Sequence, residues 1–422
     1  ARELTRLTDG SARSLFVCSD RPLDAEILSK ESLEFVPLAA RPISLKPRGM
    51  VRFLGAWGKS VRESRTLIRS EMERLQTSPE HRRAGGGGGM TPAGHLLPVT
   101  RGVSSTENVH VVAMGGFVAA PFVQAARVEH VGVTLVNLDA IPGKANRLIA
   151  RHADRIFTAA AIAPGAVPEA KLARWHAIPP IVRPQALPPR LGPSSDGSVS
   201  SSTMMGKDEC RKALGLDPST PTLLVTGGSQ GARSINQLLL ALVDAEGASI
   251  GATASRPSLR GRSGGLGGGA DTRWQVLHQC GKDDVEVLRR AYQHAGVSAI
   301  VEPFVTAMGL WWGAADLAIS RAGAGSVAEA WANHVPAIFL PYPYHRDLHQ
   351  KHNARVLVES GGAILAYDTL DAKQTLADMT PALKELLNSP ARRQAMQTAL
   401  TRLGPASGAE QIAKALLQGV TH

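Results

Sequence analysis

Cysteine is scarce in this chain. Its 422 residues hold three, Cys18, Cys210 and Cys280, far apart and without a Cys-x-x-Cys pair. An odd, scattered set argues against a disulfide scaffold and against a zinc site, and fits a reducing compartment. Aromatic residues make up only 4%. Long hydrophobic runs are missing too: no apolar stretch approaches the roughly 20 residues that span a bilayer, and no secretory leader is recognisable. Acidic charge falls short of basic, with 36 Asp and Glu against 47 Lys and Arg, a net charge of +11. That surplus favours phosphate-rich partners: nucleic acid, anionic lipid or diphosphate substrates. Charge alone does not separate these from a solvated basic surface.

What is abundant is glycine (42), proline (27) and an apolar fraction of 43%. The mixture suits an α/β protein with many tight strand–helix turns, and the length exceeds what one core serves, so two domains are expected. Arg2–Thr8 reads as the end of a helix and 13–18 as a short strand, so the chain opens within a strand–helix–strand unit. It begins with Ala1 rather than Met, and an upstream start is expected. Residues 50–75 have a helical pattern. The stretch 78–107, with its Gly85–Gly89 run, reads as an insertion. Strands are expected at Val109–Met114, Val131–Val136 and Arg155–Thr158, with helices around Pro121–Arg127 and Asn146–His152. A Pro- and Ser-rich stretch then marks a linker. The second half gives strands at Thr222–Thr226, Trp274–His278, Ala299–Glu302, Leu317–Ser320 and Ala337–Leu340, and a helix at Ala232–Val243. The stretch 247–272 reads as a second insertion, and Ala409–Leu417 as a last helix. The expected division is 1–185, linker 186–206, 207–405 and a terminal helix in 406–422. Alternating strands and helices predict parallel sheets covered on both faces, and two such halves imply a ligand cleft.

Three segments carry chemistry. Gly227-Gly228-Ser229-Gln230-Gly231-Ala232 follows an apolar strand and opens a helix. Glycines such as Gly228 let backbone approach a ligand, and free N–H groups at a helix start suit a diphosphate, with the Ser229 hydroxyl as a further donor. A plain tight turn is the alternative. The second segment runs from Ser320 to Glu329 (SRAGAGSVAE) and also joins a strand end to a helix. Ser326 is a natural N-cap with Glu329 three residues on, the spacing of a capping box. The alternative has Glu329 accepting from a ribose diol, as acidic residues do in nucleotide folds. The third segment is Asp347–Ala354 (DLHQKHNA). His349, Gln350 and Asn353 can point into the cleft from one helix start, and amides suit sugar hydroxyls because they both donate and accept. A metal held by His349 and His352 has no further ligand nearby. Arg183, just before the linker, is either a solvated charge or a clamp on a diphosphate.

Taken in order, these segments resemble the MurG family, which transfers N-acetylglucosamine from UDP to the lipid-linked muramyl-pentapeptide of peptidoglycan synthesis. The family's GGSQGA loop is Gly227–Ala232. Its loop ending in V-x-E is Gly323–Glu329, and its D-x-H-Q-x-x-N-A stretch is Asp347–Ala354. Its G-N-P-V-R appears loosely as Pro179–Arg183, its G-G-Y/F-V as Gly115–Val118, and its A-V-P-G-x-x-N as Ala140–Asn146. The resemblance implies an α/β GT-B fold, two Rossmann-like domains whose parallel sheets face a central cleft, and an inverting hexosyltransferase with no cofactor and no metal. It also implies roles. Ser229 and Arg183 contact the diphosphate, with Gly228, Ala324, Gly325 and Ser326 in the two loops. Glu329 binds ribose, the turn at Phe304-Val305 packs on uracil, and Gln350 with neighbours such as Asn353 holds the N-acetylglucosamine. The expected partners are UDP-N-acetylglucosamine and the undecaprenyl-linked muramyl-pentapeptide, with no nucleic acid.

Two departures bear on the acceptor side. The family usually begins with a strand and a G-G-T-G-G-H loop whose His is a candidate base, and this chain starts after that place. Gly87–Pro98 (GGGMTPAGHLLP) looks like the loop but lies downstream in the low-complexity stretch. It reads as an insertion whose likeness to the loop is chance, which counts against His95 as the base and leaves the catalytic residue unassigned. The family's H-E-Q-N is Val136–Asp139 here, so Asp139 replaces an Asn and keeps acceptor oxygens without the amide donors. In 48–62, Met50, Phe53, Leu54 and Trp57 fall at i, i+3, i+4 and i+7 with Arg48, Arg52, Lys59 and Arg62 beside them. Such a stripe either docks on an anionic membrane surface or packs into the first core. The resemblance favours peripheral association with the cytoplasmic face of a bacterial inner membrane. The rival readings are a transferase on another lipid acceptor such as diacylglycerol, an isomerase like the UDP-N-acetylglucosamine 2-epimerases, and a non-catalytic UDP-sugar binder.

Overall fold

The computed structural model describes residues 1–40, 47–77, 109–191, 203–228, 232–251, 273–344 and 347–418. The chain divides into two compact units, Ala1–Ile178 with Gly408–His422, and Pro179–Ser407. The change of unit therefore falls ahead of the stretch 186–206, whose described residues belong to the second unit. The helix Gly408–Gln418 belongs to the first unit. There the Arg155 guanidinium donates to the Ala415 carbonyl, a cation near a helix C-terminus, where the dipole favours it.

In the first unit β1 (Phe16–Ser19) and β2 (Phe35–Leu38) form a parallel pair. A separate parallel sheet runs β3 (His110–Ala113), β4 (Gly132–Asn137), β5 (Arg155–Thr158), β6 (Trp175–Ala177). The long helix Pro47–Thr77 packs on the helix Gly116–Val128. Val123, Ala125, Ala126, Val133, Leu135 and Ile156 form the core between helix and sheet. Arg65 and Arg69 both reach Glu129, at 2.6 and 2.8 Å, and tie the two helices together at their rim.

The second unit holds a six-stranded parallel sheet in the order β12 (Ala363–Leu365), β11 (Ala337–Phe339), β10 (Leu317–Ser320), β7 (Thr222–Thr226), β8 (Gln275–Gln279), β9 (Ala299–Glu302). This is the doubly wound order, with its reversal between β7 and β10. All five residues of β7 are buried. Leu223 and Val225 face one hydrophobic cluster and Leu224 the other, the period-two alternation of a strand covered on both faces. A buried polar chain crosses this core. His278 on β8 lies 2.9 Å from the Tyr292 hydroxyl and 3.1 Å from Asn236 Oδ1. The Asn236 amide nitrogen already donates to Cys280 O and Asp284 Oδ2. His278 therefore donates from Nε2 and accepts from Tyr292 at Nδ1, and burial holds its pKa down to about 3. The chain anchors the helix that follows the β7 turn.

Strands β2, β6 and β12, each at the edge of its sheet, escaped the sequence reading. The helix expected at Ala232–Val243 runs Arg233–Gly251, into the stretch read as an insertion from 247. The segment after Arg183 forms a short 3-10 turn, Pro184–Ala186, that packs on the helix Met308–Ala314. Glycine makes that approach possible, since a Cβ on Gly309 would stand 1.9 Å from the Leu187 carbonyl oxygen. Gly309→Ala is expected to destabilise the second unit by about 1–3 kcal/mol, the cost of overpacking. Gly325→Ala, in the first turn of the helix Ala324–Ala332 where a Cβ meets nothing within 4 Å, is expected to be near neutral or slightly stabilising. Urea unfolding followed by tryptophan fluorescence compares them, and equal midpoints would contradict the close approach.

Candidate functional site

Parallel pairing of β10 with β7 sets Ser320 beside Thr226, the last residue of each strand. The loops that follow therefore leave the same edge of the sheet, side by side at the reversal of strand order, where open α/β sheets bind ligands.

The first loop turns at Gly228, whose φ of +81° suits glycine. A Cβ there would meet nothing within 4 Å, so the requirement is conformational rather than one of space. Its N–H donates to Thr226 Oγ1 at 3.2 Å, and its carbonyl accepts from Gln279 Nε2 at 3.1 Å. Thr226 in turn donates to Gln279 Oε1 at 2.7 Å. The neighbouring strand thus fixes where the loop departs. Ser229, Gln230 and Gly231 lie outside the described residues, as does His95.

The second loop corrects the capping-box expectation. The N-cap is Gly323, not Ser326, and the helix runs Ala324–Ala332. Ala324, Gly325 and Ser326 are its first turn, where backbone N–H groups have no partner within the helix. Gly323, with extended φ and ψ, makes no side-chain cap. Its carbonyl takes the first helical bond, from Val327 N at 3.0 Å. Glu329 is consequently free of any capping role. It is buried, and Oε1 accepts from Arg183 Nη2 at 2.8 Å while Oε2 accepts from Trp312 Nε1 at 2.8 Å. The hinge arginine and the acidic residue of the second loop, expected to act separately, are joined.

The third segment is placed differently for its members. Leu348 takes the left-handed conformation ahead of the helix His349–Glu359. His349 Nδ1 lies 2.8 Å from Asp347 Oδ1. Gln350 is half-buried, and its carbonyl accepts from Tyr342 N at 2.8 Å. Asn353, expected to face a sugar, is buried instead and donates to Ala322 O at 3.3 Å. Its amide holds this helix against the second loop. Val305 is half-buried on the hydrophobic core after β9, and Phe304 beside it is 58% exposed.

Asp139 belongs to the first unit, past the end of β4. There the buried Asn137, not singled out in the sequence, donates to Asp139 O at 2.6 Å and to Thr158 Oγ1 at 3.0 Å. It accepts from Asn146 at 2.9 Å. Gly115, at φ +92°, must lack a side chain, because a Cβ would stand 2.4 Å from Asn146 Oδ1.

The residue most conspicuously missed is Arg321. It follows a fully buried strand and is itself buried. Its guanidinium donates to Leu340 O at 2.9 Å and Pro341 O at 3.3 Å, to Ser234 Oγ at 2.5 Å, and pairs with Asp368 Oδ2 at 2.8 Å. Its carbon lies 5.5 Å from the centre of the Tyr342 ring. Ser234, at the start of the helix after the glycine loop, completes the link by donating to Asp368 at 2.6 Å. One fork therefore ties that helix start to the ends of β10, β11 and β12. The signal in the sequence was an arginine directly after four buried apolar or small residues, where an unpaired charge is prohibitive. Asp368→Ala strands this guanidinium and is expected to cost about 3–5 kcal/mol of stability. Ser234→Ala removes hydrogen bonds only and is expected to cost about 1–2 kcal/mol. Chemical denaturation ranks the two, and the reverse order would contradict the network.

Residues 222–415 match the glycosyltransferase family 28 C-terminal domain. A UDP-N-acetylglucosamine--N-acetylmuramyl-(pentapeptide) pyrophosphoryl-undecaprenol N-acetylglucosamine transferase from a Nocardioides species is 32% identical over 308 residues, 73% of this chain and 72% of that protein. A protein of the same name from Desulforudis audaxviator is 27% identical over 92% of this chain and 86% of its own. Among solved structures, MurG of Acinetobacter baumannii matches with a TM-score of 0.61 at 18% identity, over 99% of this chain and 94% of that one. The UDP-GlcNAc 2-epimerase of Neisseria meningitidis, bound to UDP-GlcNAc, matches with a TM-score of 0.52 at 11% identity, over 99% and 94%. Fold alone is thus shared by transferase and epimerase, and what separates them is sequence identity carried across most of the chain. On that ground, and with α/β architecture of the GT-B class, this chain belongs to the MurG family of glycosyltransferases.

Proposed function

We propose that the chain moves N-acetylglucosamine from UDP-N-acetylglucosamine to a lipid-linked muramyl-pentapeptide, with inversion at the transferred sugar carbon. The bond from that carbon to the UDP oxygen breaks as a bond to an acceptor hydroxyl oxygen forms, and the hydroxyl proton passes to a base. One observation carries the reading: two loops, each feeding a helix start, leave adjacent central strands at the sheet reversal, with Arg183 and Glu329 beside them. The first-turn amides of Ala324, Gly325 and Ser326, which have no partner within the helix, suit a diphosphate, with the loop that turns at Gly228 leaving the adjacent strand. The helix dipoles and Arg183 stabilise charge developing on the departing UDP. Glu329 is the acceptor for ribose hydroxyls, and Phe304 with Val305 gives uracil an apolar surface. Gln350, whose carbonyl is engaged by Tyr342, keeps its amide N–H groups for the N-acetylglucosamine. Asn353 holds the loop rather than the sugar. Asp139 stays assigned to the acceptor side.

The chain is expected to form a lipid-linked disaccharide from UDP-N-acetylglucosamine and the muramyl lipid, with one UDP released per transfer. Without acceptor, UDP-N-acetylglucosamine should persist unchanged. Conversion to its 2-epimer in that control, read by proton NMR, would replace transfer by isomerisation. Binding of UDP with neither reaction would leave a nucleotide-sugar binder.

The acceptor is a membrane lipid on this reading, and the chain works as a peripheral protein at the cytoplasmic face of the inner membrane. Among the described residues no helix is long and apolar enough to cross a membrane. The stripe on the helix Pro47–Thr77 supports docking only in part. The side chains of Met50 and Leu54 lie outside the described residues. Phe53 and Trp57 are half-buried, 5.4 Å apart, and Trp57 donates to Gln124 at 2.6 Å and packs on the first core. Next to Trp57 a cavity of about 450 Å³ is lined by Ala120, Gln124, Arg127, Val128, Leu148 and His152. An apolar hollow with a guanidinium at its edge fits a lipid chain beneath an anionic headgroup. Trp57→Glu is expected to lower sedimentation with anionic vesicles several-fold while Lys30→Glu, elsewhere on the unit, does not. Equal loss in both would reduce the effect to net charge.

A further inference from the structure

Resting on the reading of Glu329 as the ribose acceptor, we propose that Arg183 determines which ligands reach it. Each Glu329 oxygen is engaged by a protein donor, Oε1 by Arg183 and Oε2 by Trp312. Each oxygen can accept a second bond, but with only 9% of its side chain exposed the carboxylate offers a ribose diol no open approach, so one donor must move aside. The two donors are not equivalent. Trp312 is fully buried, a member of the hydrophobic cluster that also holds Leu277, Ala318 and Phe339. Its indole N–H cannot leave without emptying that space. Arg183 has 69% of its side chain exposed, against 9% for Glu329, and makes one contact to the carboxylate through a single nitrogen. An ion pair of that kind, open to water on the arginine side, is weak. A diphosphate offers the same planar guanidinium a bidentate, charge-assisted partner.

Arg183 is therefore the donor that yields, and it yields to phosphate. A nucleotide whose diphosphate takes the guanidinium also uncovers Oε1 for its own ribose. A nucleoside without phosphates must compete with Arg183 for the same oxygen and gains nothing in return. The pair thus makes ribose recognition conditional on the diphosphate, and Arg183 discriminates UDP from uridine twice, by attracting one and by obstructing the other.

The two effects have opposite signs in one variant. In Arg183→Ala, UDP is expected to bind at least tenfold more weakly, because a charge-assisted contact is lost. Uridine is expected to bind about two- to fivefold more tightly, because a weak competing ion pair is gone. Ligand-observed NMR titrations of the intact chain with uridine and with UDP measure both, and Arg183, being exposed, is a safe position for substitution. Glu329→Gln is the companion variant and should weaken uridine. If the wild-type chain binds no UDP, the functional reading falls and this inference with it. If UDP binds and Glu329→Gln weakens uridine, yet Arg183→Ala leaves uridine unchanged or weaker, this inference alone is overturned. Uridine binding indifferent to Glu329→Gln overturns it as well, since the carboxylate is then no ribose acceptor.

Discussion

Parallel hydrogen bonding between β7 and β10 is the constraint from which the rest of the site follows. Thr226 and Ser320 are paired at the ends of neighbouring strands. Because the strand order reverses there, the chain leaves β7 toward one face of the sheet and β10 toward the other, and the space between the two departures is left uncovered. Each departure feeds a helix, so each brings an N-terminal turn whose first amides have no partner within the helix. Neither turn needs a special ligand motif for this. The topology alone aims two positive helix ends at one volume.

Topology sets the approximate geometry, and buried polar contacts refine it. Gln279 holds Gly228 from the β8 side, through Thr226 and the Gly228 carbonyl. Arg321 holds the other side, linking the start of the helix Arg233–Gly251 to the carbonyls after β11 and to Asp368 after β12. His278, kept neutral by burial, ties the same helix to β8 through Asn236. These groups make a network with its donors and acceptors matched, which favours a single arrangement over several. Replacing Arg321 by an apolar residue of similar size would leave the sheet intact, yet the loop-bearing helix would lose its tie to the carbonyls after β11 and keep the Ser234–Asp368 and Asn236 contacts.

The sequence displayed most strands of the second unit well because they read as short apolar runs bounded by turns. Thr222–Thr226, Ala299–Glu302 and Leu317–Ser320 were read at their observed limits. It hid β6 and β12, short strands at the edges of their sheets. The site segments were visible through family likeness, but the partners of their side chains were not. Ser326 with Glu329 has the spacing of a capping box, and nothing local reveals that the helix starts at Ala324. That start depends on Gly323 taking an extended conformation at the strand exit. Likewise the role of Asn353 turns on Ala322, 31 residues away, and that of Glu329 on Arg183, 146 residues away. Contacts of such separation are set by sheet order, which a linear pattern does not carry.

Arginine shows how one residue type serves two ends here. Arg321 and Arg183 flank the same loop system and each meets a carboxylate at 2.8 Å. The first has 8% of its side chain exposed, and backbone carbonyls, a hydroxyl and an aspartate share its guanidinium. Removing it from those partners would leave a charge in a medium that cannot solvate it. The second keeps 69% of its side chain in water, and its single carboxylate contact costs little to break. A structural cation is one whose desolvation is already complete and compensated; a working cation is one that can still choose its partner. Net charge, visible in composition, does not tell them apart. Burial does, and in this chain it sets the enclosed arginine within the conspicuous loop apart from the exposed one beyond Ile181-Val182.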